Sequence, residues 1–248
     1  MPPEKAMESQ TMFILTLSLL FLSGVQAVNF IVRNNCPYTV WPGILTSSGP
    51  VLDNTGFELP SGNFITLNVA PSWSGRLWGR TSCSIDATTA KFNCATGDCA
   101  SGQVSCNGAG GIPPATLIEL TLNGYKDQDF YDISLVDGFN VPASISPAGH
   151  GDCKATSCGG DINGVCPPEL AVMGANGRTV ACKSACLALN EPRYCCIGSY
   201  NTPETCPPTE YSKIFKAQCP KAYSYAYDDK TSTFTCPSGA DYVIAFCP

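Results

Sequence analysis

The segments TLIELTL (residues 116–122) and FYDISLV (residues 130–136) decide the fold. Each alternates with a period of two, the mark of a strand with one buried face. In the first, Leu117, Glu119 and Thr121 share a face. The polar stretch Asn123–Asp129 between them reads as a turn, so the two form a hairpin. Working outward, Val28–Arg33 alternates in the same way, with Val28, Phe30 and Val32 on one side. Phe64–Val69 repeats the pattern through Ile65, Leu67 and Val69. Tyr38–Trp41 is β-prone and is expected to stop at Pro42-Gly43. Ser232–Cys236 and Tyr242–Phe246 read as closing strands. Both ends of the chain are therefore β and are expected to share a sheet.

Two stretches break this pattern. Nine cysteines fall within Cys153–Cys219, where strand signals are weak. There Cys182, Ala185, Cys186 and Leu189 lie on one helical face. A second helix is expected over Thr209–Cys219, after Pro207-Pro208 and before Pro220. Thr81–Pro113 has four cysteines and little apolar periodicity, and reads as a loop-rich lobe. The fold class is thus mainly β, with a β core and two cystine-rich excursions. The expected division is a leader over 1–27, a core from 28–80, 114–159 and 220–248, a disulfide-rich helical part over 160–219, and a small lobe over 81–113.

Composition excludes several functions. Fourteen basic residues against twenty acidic ones give a formal charge of −6. Such a chain lacks the clustered Lys and Arg that nucleic acid requires. At 44% hydrophobic residues it is not disordered. His150 is the one histidine, in the loop-like Gly149-His150-Gly151, so Ser–His–Asp and Cys–His nucleophiles are excluded. The sixteen cysteines are even in number, which implies disulfides in an oxidising compartment rather than a metal site. Phe13–Leu22 (FILTLSLLFL), followed by Val25 and Ala27, reads as a secretory leader cut after Ala27. Translation could start at Met1, Met7 or Met12. No Asn-x-Ser/Thr sequon occurs, and the chain stops one residue after Cys247, so the extracellular space is preferred over the vacuole.

Particular motifs resemble those of thaumatin-like proteins, the fifth group of plant pathogenesis-related proteins. They are Cys94-Ala-Thr-Gly-Asp-Cys99 with Gly102-Gln103 and Cys106, Trp78-Gly-Arg80-Thr81, Pro113-Pro-Ala-Thr-Leu-Ile-Glu119, residues 130–142, Tyr194-Cys-Cys196 and Pro208-Thr-Glu-Tyr-Ser212. One departure is Ala90, where the signature opens with Gly; if that position needs positive φ, Ala90 carries strain. The resemblance implies a flattened β-sandwich. It also implies the pairs Cys36–Cys247, Cys83–Cys94, Cys99–Cys106, Cys153–Cys236, Cys158–Cys219, Cys166–Cys182, Cys186–Cys195 and Cys196–Cys206.

It further implies an acidic cleft of one Arg, one Glu and three Asp, carried here onto Arg80, Glu119, Asp132, Asp137 and Asp228, with Asp229 adjoining the last. Glycoside hydrolysis uses one protonated and one ionised carboxyl. On that model Glu119 is the acid and Asp132 or Asp137 the base or nucleophile. The implied ligand is a fungal-wall β-1,3-glucan or another wall polysaccharide. The alternatives are weak endo-β-1,3-glucanase activity, a cationic protein partner, and fungal membrane permeabilisation. No cofactor, metal, nucleic acid or transmembrane segment is expected, and the chain is expected to be a monomer of the plant extracellular space (apoplast). Trp41, Trp73 and Trp78 could stack on sugars, but aromatics of a β core more often pack, so none is assigned a site. N-terminal sequencing of secreted material should begin VNFIV; a start within residues 1–26 would contradict the leader.

Overall fold

The computed structural model describes residues 27–248, so the leader expected ahead of Ala27 lies outside the described residues. Strand β1 (Val28–Asn34) runs between β13 (Asp241–Phe246), parallel, and β3 (Phe64–Val69), antiparallel. The two ends of the chain are thus direct neighbours. Strands β8 (Ala143–Ala148) and β9 (Thr156–Cys158) complete a sheet of order β3-β1-β13-β8-β9. A second sheet contains β2 (Trp41–Ser48), β4 (Ser74–Ile85), β6 (Leu117–Thr121), β7 (Gln128–Ser134) and β12 (Phe234–Pro237). Its order is β12-β7-β6-β4-β2, with β5 (Phe92–Thr96) also paired to β4.

The two sheets face each other across an aromatic centre. Phe30 meets Trp73 edge-on at 5.4 Å and Tyr242 at 6.0 Å, and Tyr242 meets Tyr131 at 5.4 Å. All four rings are buried. Edge-to-face pairs of this kind add about 0.5–1.5 kcal/mol each beyond their burial. Their polar atoms are satisfied: Trp73 Nε1 donates to Thr46 Oγ1, Tyr242 to Asp129 Oδ2, and Tyr131 to the Lys154 carbonyl.

The cysteine-rich middle holds a small hairpin, β10 (Ala171–Met173) with β11 (Thr179–Cys182), and short helices. These are α1 (Ile162–Val165), α2 (Ala185–Leu189), α3 (Pro192–Cys195), α4 (Glu210–Gln218) and, further on, α5 (Asp229–Ser232). Thr209 caps α4 in a reciprocal box: its Oγ1 accepts from Ser212 N, and Ser212 Oγ accepts from Thr209 N.

Local departures from the sequence reading have physical causes. Strand β2 begins at Trp41 and continues through Pro42-Gly43, which had read as a stop. It is an edge strand, where a missing N–H is tolerated. Cys182 ends β11 rather than opening α2, because Ser184 caps that helix through Leu187 N. Residues 229–232 are helical, so β12 starts only at Phe234. Ala90 has φ 55°, the left-handed conformation that favours Gly.

Eight disulfides staple this frame: Cys36–Cys247, Cys83–Cys94, Cys99–Cys106, Cys153–Cys236, Cys158–Cys219, Cys166–Cys182, Cys186–Cys195 and Cys196–Cys206. The first spans 211 residues and ties β1 to β13. On the chain-entropy model a loop that long contributes about 5 kcal/mol. Intact-mass analysis after alkylation without reductant should therefore show no adduct, and replacing Cys36 and Cys247 together by Ala should lower unfolding free energy by roughly 3–5 kcal/mol. Labelling of even two cysteines in the native protein would contradict this arrangement.

Candidate functional site

The alternation on β6 sends Ile118 and Leu120 into the core and leaves Leu117, Glu119 and Thr121 on the outer face of the second sheet. Cross-strand register then builds a row. Arg76 on β4 lies opposite Glu119, and Glu119 lies opposite Asp132 on β7. Directly opposed residues have Cβ atoms about 5 Å apart, so one cation and two carboxyls lie side by side. In the next row Trp78, Leu117 and Ser134 are opposed in the same order.

Only part of this outer face is open. Around Trp78 it is covered by the lobe after β4, where Trp78 Nε1 donates to the Gly97 carbonyl and Leu117 packs with the Cys99–Cys106 bridge. Gly111 passes so close that a Cβ there would lie 2.6 Å from the indole. On the other side the chain rises as a wall at Tyr223, which pairs with Ser134 and exchanges backbone hydrogen bonds with Ile133 and Leu135. Between them lies an open cleft of about 400 Å³, lined by Arg76, Glu119, Asp132, Asp137, Tyr223 and Asp229 among others.

The cleft is electrostatically unbalanced, with four carboxyls to one guanidinium. Asp132 Oδ1 is buried without a partner. Burial, then Glu119, then Asp229 push the Asp132 carboxyl up to about 8. Burial also raises Glu119 and Asp137 adds to this, but Arg76 opposes both. Asp132 is thus the carboxyl pushed up to about 8, while at Glu119, the acid of the resemblance, the guanidinium of Arg76 opposes the rise. The cause is position: Arg76 neighbours Glu119 and lies one strand further from Asp132. Arg76 Nε is itself buried and unpartnered. Tyr223 donates to Asp229 Oδ1 at 2.8 Å and shares a very short hydrogen bond with Thr233. Among the described residues no His, Cys, Asp and Glu are grouped so as to hold a metal ion.

Two of the residues expected in the cleft lie elsewhere. Arg80 is fully buried beneath the lobe. Its Nε donates to the Trp41 carbonyl, its Nη2 to those of Pro42 and Val104, and its Nη1 to Cys99 Sγ. It stacks on Phe92 at 5.4 Å. Arg80 and Arg76 share a face by parity, but four residues place them about 13 Å apart along the strand. The cleft cation is Arg76. Asp228 does not line the cleft: it accepts from Ser224 and Thr231 and pairs with Lys216 at 2.8 Å. Asp229, its neighbour, takes the cleft position. Arg76 carried a usable signal, since its spacing from Arg80 puts it on the same face; nothing in the sequence singled out Tyr223.

The model of the thaumatin family matches residues 34–248. The chain belongs to that family. It is 60% identical to thaumatin-like protein 1 of Pyrus pyrifolia over 240 residues, covering 95% of this chain and 98% of the relative. It is 57% identical to a protein of Prunus avium named glucan endo-1,3-beta-glucosidase over 239 residues, covering 95% of this chain and 97% of that one. Among solved structures it shares a fold with a laminaripentaose-producing β-1,3-glucanase in complex with laminaritetraose. That likeness has a TM-score of 0.62 at 11% identity and covers 90% of this chain and 99% of the other.

The raised Asp132 makes stability depend on pH. Its folded pKa of about 8 lies above the unfolded carboxylate value. The native state therefore holds a proton that the unfolded state releases between roughly pH 4 and 8, and stability falls as pH rises through that window. Asp132→Asn should flatten the fall and raise stability at pH 8 by roughly 1–3 kcal/mol, allowing for screening by water in the open cleft. Chemical denaturation of both proteins at pH 4 and pH 8 measures this. An unchanged slope in the variant would show that Asp132 is ionised in the folded protein.

Proposed function

We propose that this member of the thaumatin family is a secreted, antifungal plant defence protein whose acidic cleft binds a fungal-wall β-1,3-glucan. The carrying observation is the row of polar groups on the cleft floor: Asp132 Oδ1 and Arg76 Nε are buried without partners, with Glu119 opposed to both. Burial beside Glu119 and Asp229 pushes Asp132 up to about 8, so toward a sugar it would serve as donor, with Arg76 a second donor and Glu119 an acceptor. Sugar hydroxyls are donors and acceptors at once, so a neutral polymer satisfies such a set. A cationic protein would draw most from carboxyls that are all ionised, so the same observation weighs against that partner. The name of the Prunus avium relative supports a β-1,3-glucan as the polymer. Among the described residues no helix is long and apolar enough to cross a membrane. The longest of the described helices, α4, has nine residues and turns Phe215 into the core.

Weak hydrolysis is the second reading, favoured by one fact. A protonated carboxyl directly opposite a more acidic one is the pair that glycosidases use. On this reading Asp132 would serve as the acid and Glu119 as the base or nucleophile.

Retention on insoluble β-1,3-glucan and release of reducing ends, measured separately, distinguish the readings. Wild type should be retained, and Arg76→Ala should lose most retention. If Asp132→Asn is retained but its release of reducing ends drops at least 100-fold, the hydrolytic reading holds. Retention without release in wild type leaves a binder. Neither retention nor release would end the glucan assignment.

A further inference from the structure

We propose that the protein carries a second saccharide-binding groove, separate from the acidic cleft, that takes a neutral sugar chain against Tyr38 and Trp41. The groove has about 400 Å³ and lies where β2 begins, beside Thr81 and Ser82 on β4 and the Thr179–Val180 edge of β11. It shares no lining residue with the acidic cleft. Thr81 and Ser82 lie five and six residues beyond Arg76, roughly 17–20 Å along the strand.

Its chemistry differs from that of the cleft. None of the lining residues is charged, in a chain of formal charge −6. A charged ligand would find no counter-charge there. An apolar ligand would strand polar groups that lack partners. Of the three tryptophans, Trp73 and Trp78 are fully buried and their indole N–H groups are bonded. Trp41 is partly exposed, and its indole N–H donates to no described residue. Tyr38 beside it is 45% exposed. Asn163 donates through Nδ2 to the Asn140 and Val180 carbonyls, which fixes the amide and leaves Oδ1 without a partner. The hydroxyls of Thr39 and Ser82 also bond to no described residue. Two aromatic faces flanked by spare hydroxyl, amide and indole groups suit one ligand chemistry: a ring with apolar C–H faces and a rim of hydroxyls. The groove volume falls in the range of built small-ligand sites, about 300–1,000 Å³.

Trp41 supplies its own reporter, because Trp73 and Trp78 are shielded from a solution quencher. The test is acrylamide quenching of fluorescence with laminaripentaose, cellopentaose and N-acetylchitopentaose as neutral probes and an oligogalacturonide as the anionic one. At least one neutral probe should protect Trp41 saturably. The protection should be equal in the Glu119→Gln/Asp132→Asn double variant, which separates this groove from the glucan reading of the cleft. Tyr38→Ala, at an exposed position, should raise the Kd about ten-fold. Thr39→Arg should abolish protection by filling and charging the groove. The proposal is overturned if no neutral probe protects Trp41 at millimolar concentration. It is also overturned if protection survives both variants, if it disappears in the cleft double variant, or if the oligogalacturonide alone gives it.

Discussion

The site depends on the pleat of one five-residue strand. Ile118 and Leu120 are sealed between the sheets, and because side chains alternate, Glu119 between them must point outward. A slip of one residue would bury a carboxyl and expose two large aliphatics. Core packing therefore sets the register of β6, and the register in turn delivers Arg76, Glu119 and Asp132 to one row. The electrostatics follow from that row. A carboxyl with a guanidinium beside it and a carboxyl with only carboxyls beside it cannot share one proton affinity.

The fate of the two arginines on β4 shows how a covering layer divides a sheet face. Both project outward, and both are Arg. One lies beneath the lobe that follows β4 and spends its donors on three carbonyls and a sulfur. The other lies at the lobe's margin, where a Cβ on Gly110 would come 3.3 Å from Arg76 Nη2. The lobe thus acts twice. It buries Trp78 and Arg80 beside a second, smaller core, and through Gly110 it approaches Arg76 at the edge of the cleft. The guanidinium fork suits the buried role because it satisfies several carbonyls in one plane, which an ammonium cannot do.

Much of the fold was legible because its signals are local. Val28–Arg33, Phe64–Val69, 116–122 and 130–136 each alternate cleanly, and the capped α4 announces itself through Thr209 and the preceding prolines. Strand β4 was not legible. Gly75, Gly79 and the two arginines break its alternation, since the inward glycines make room for neighbours rather than for side chains of their own: a Cβ on Gly79 would lie 2.8 Å from Val141. The pairing of Cys182, Cys186, Cys195 and Cys196 was equally closed to arithmetic, because spacing alone admits several partners for each; resemblance supplied it. Within the site, Glu119, Asp132 and Asp137 came by resemblance, with alternation putting Glu119 on one strand face with Leu117 and Thr121. The choice of Arg76 over Arg80, and of Asp229 over Asp228, needed three dimensions. Each pair differs only in which neighbour reaches it first.

The bond between Cys36 and Cys247 gives the molecule a closed covalent circuit from its first strand to its last. Within it the remaining bridges form smaller rings, such as that from Cys158 to Cys219. A single backbone cut anywhere on the circuit opens a ring but frees no fragment, and the severed ends stay tethered within reach of their native partners. Strand β1 precedes the ring, and pairing on both of its edges holds it against fraying. A protease must therefore make two cuts inside one ring before any part of that ring diffuses away. Between those cuts the strands have time to close again over the wound.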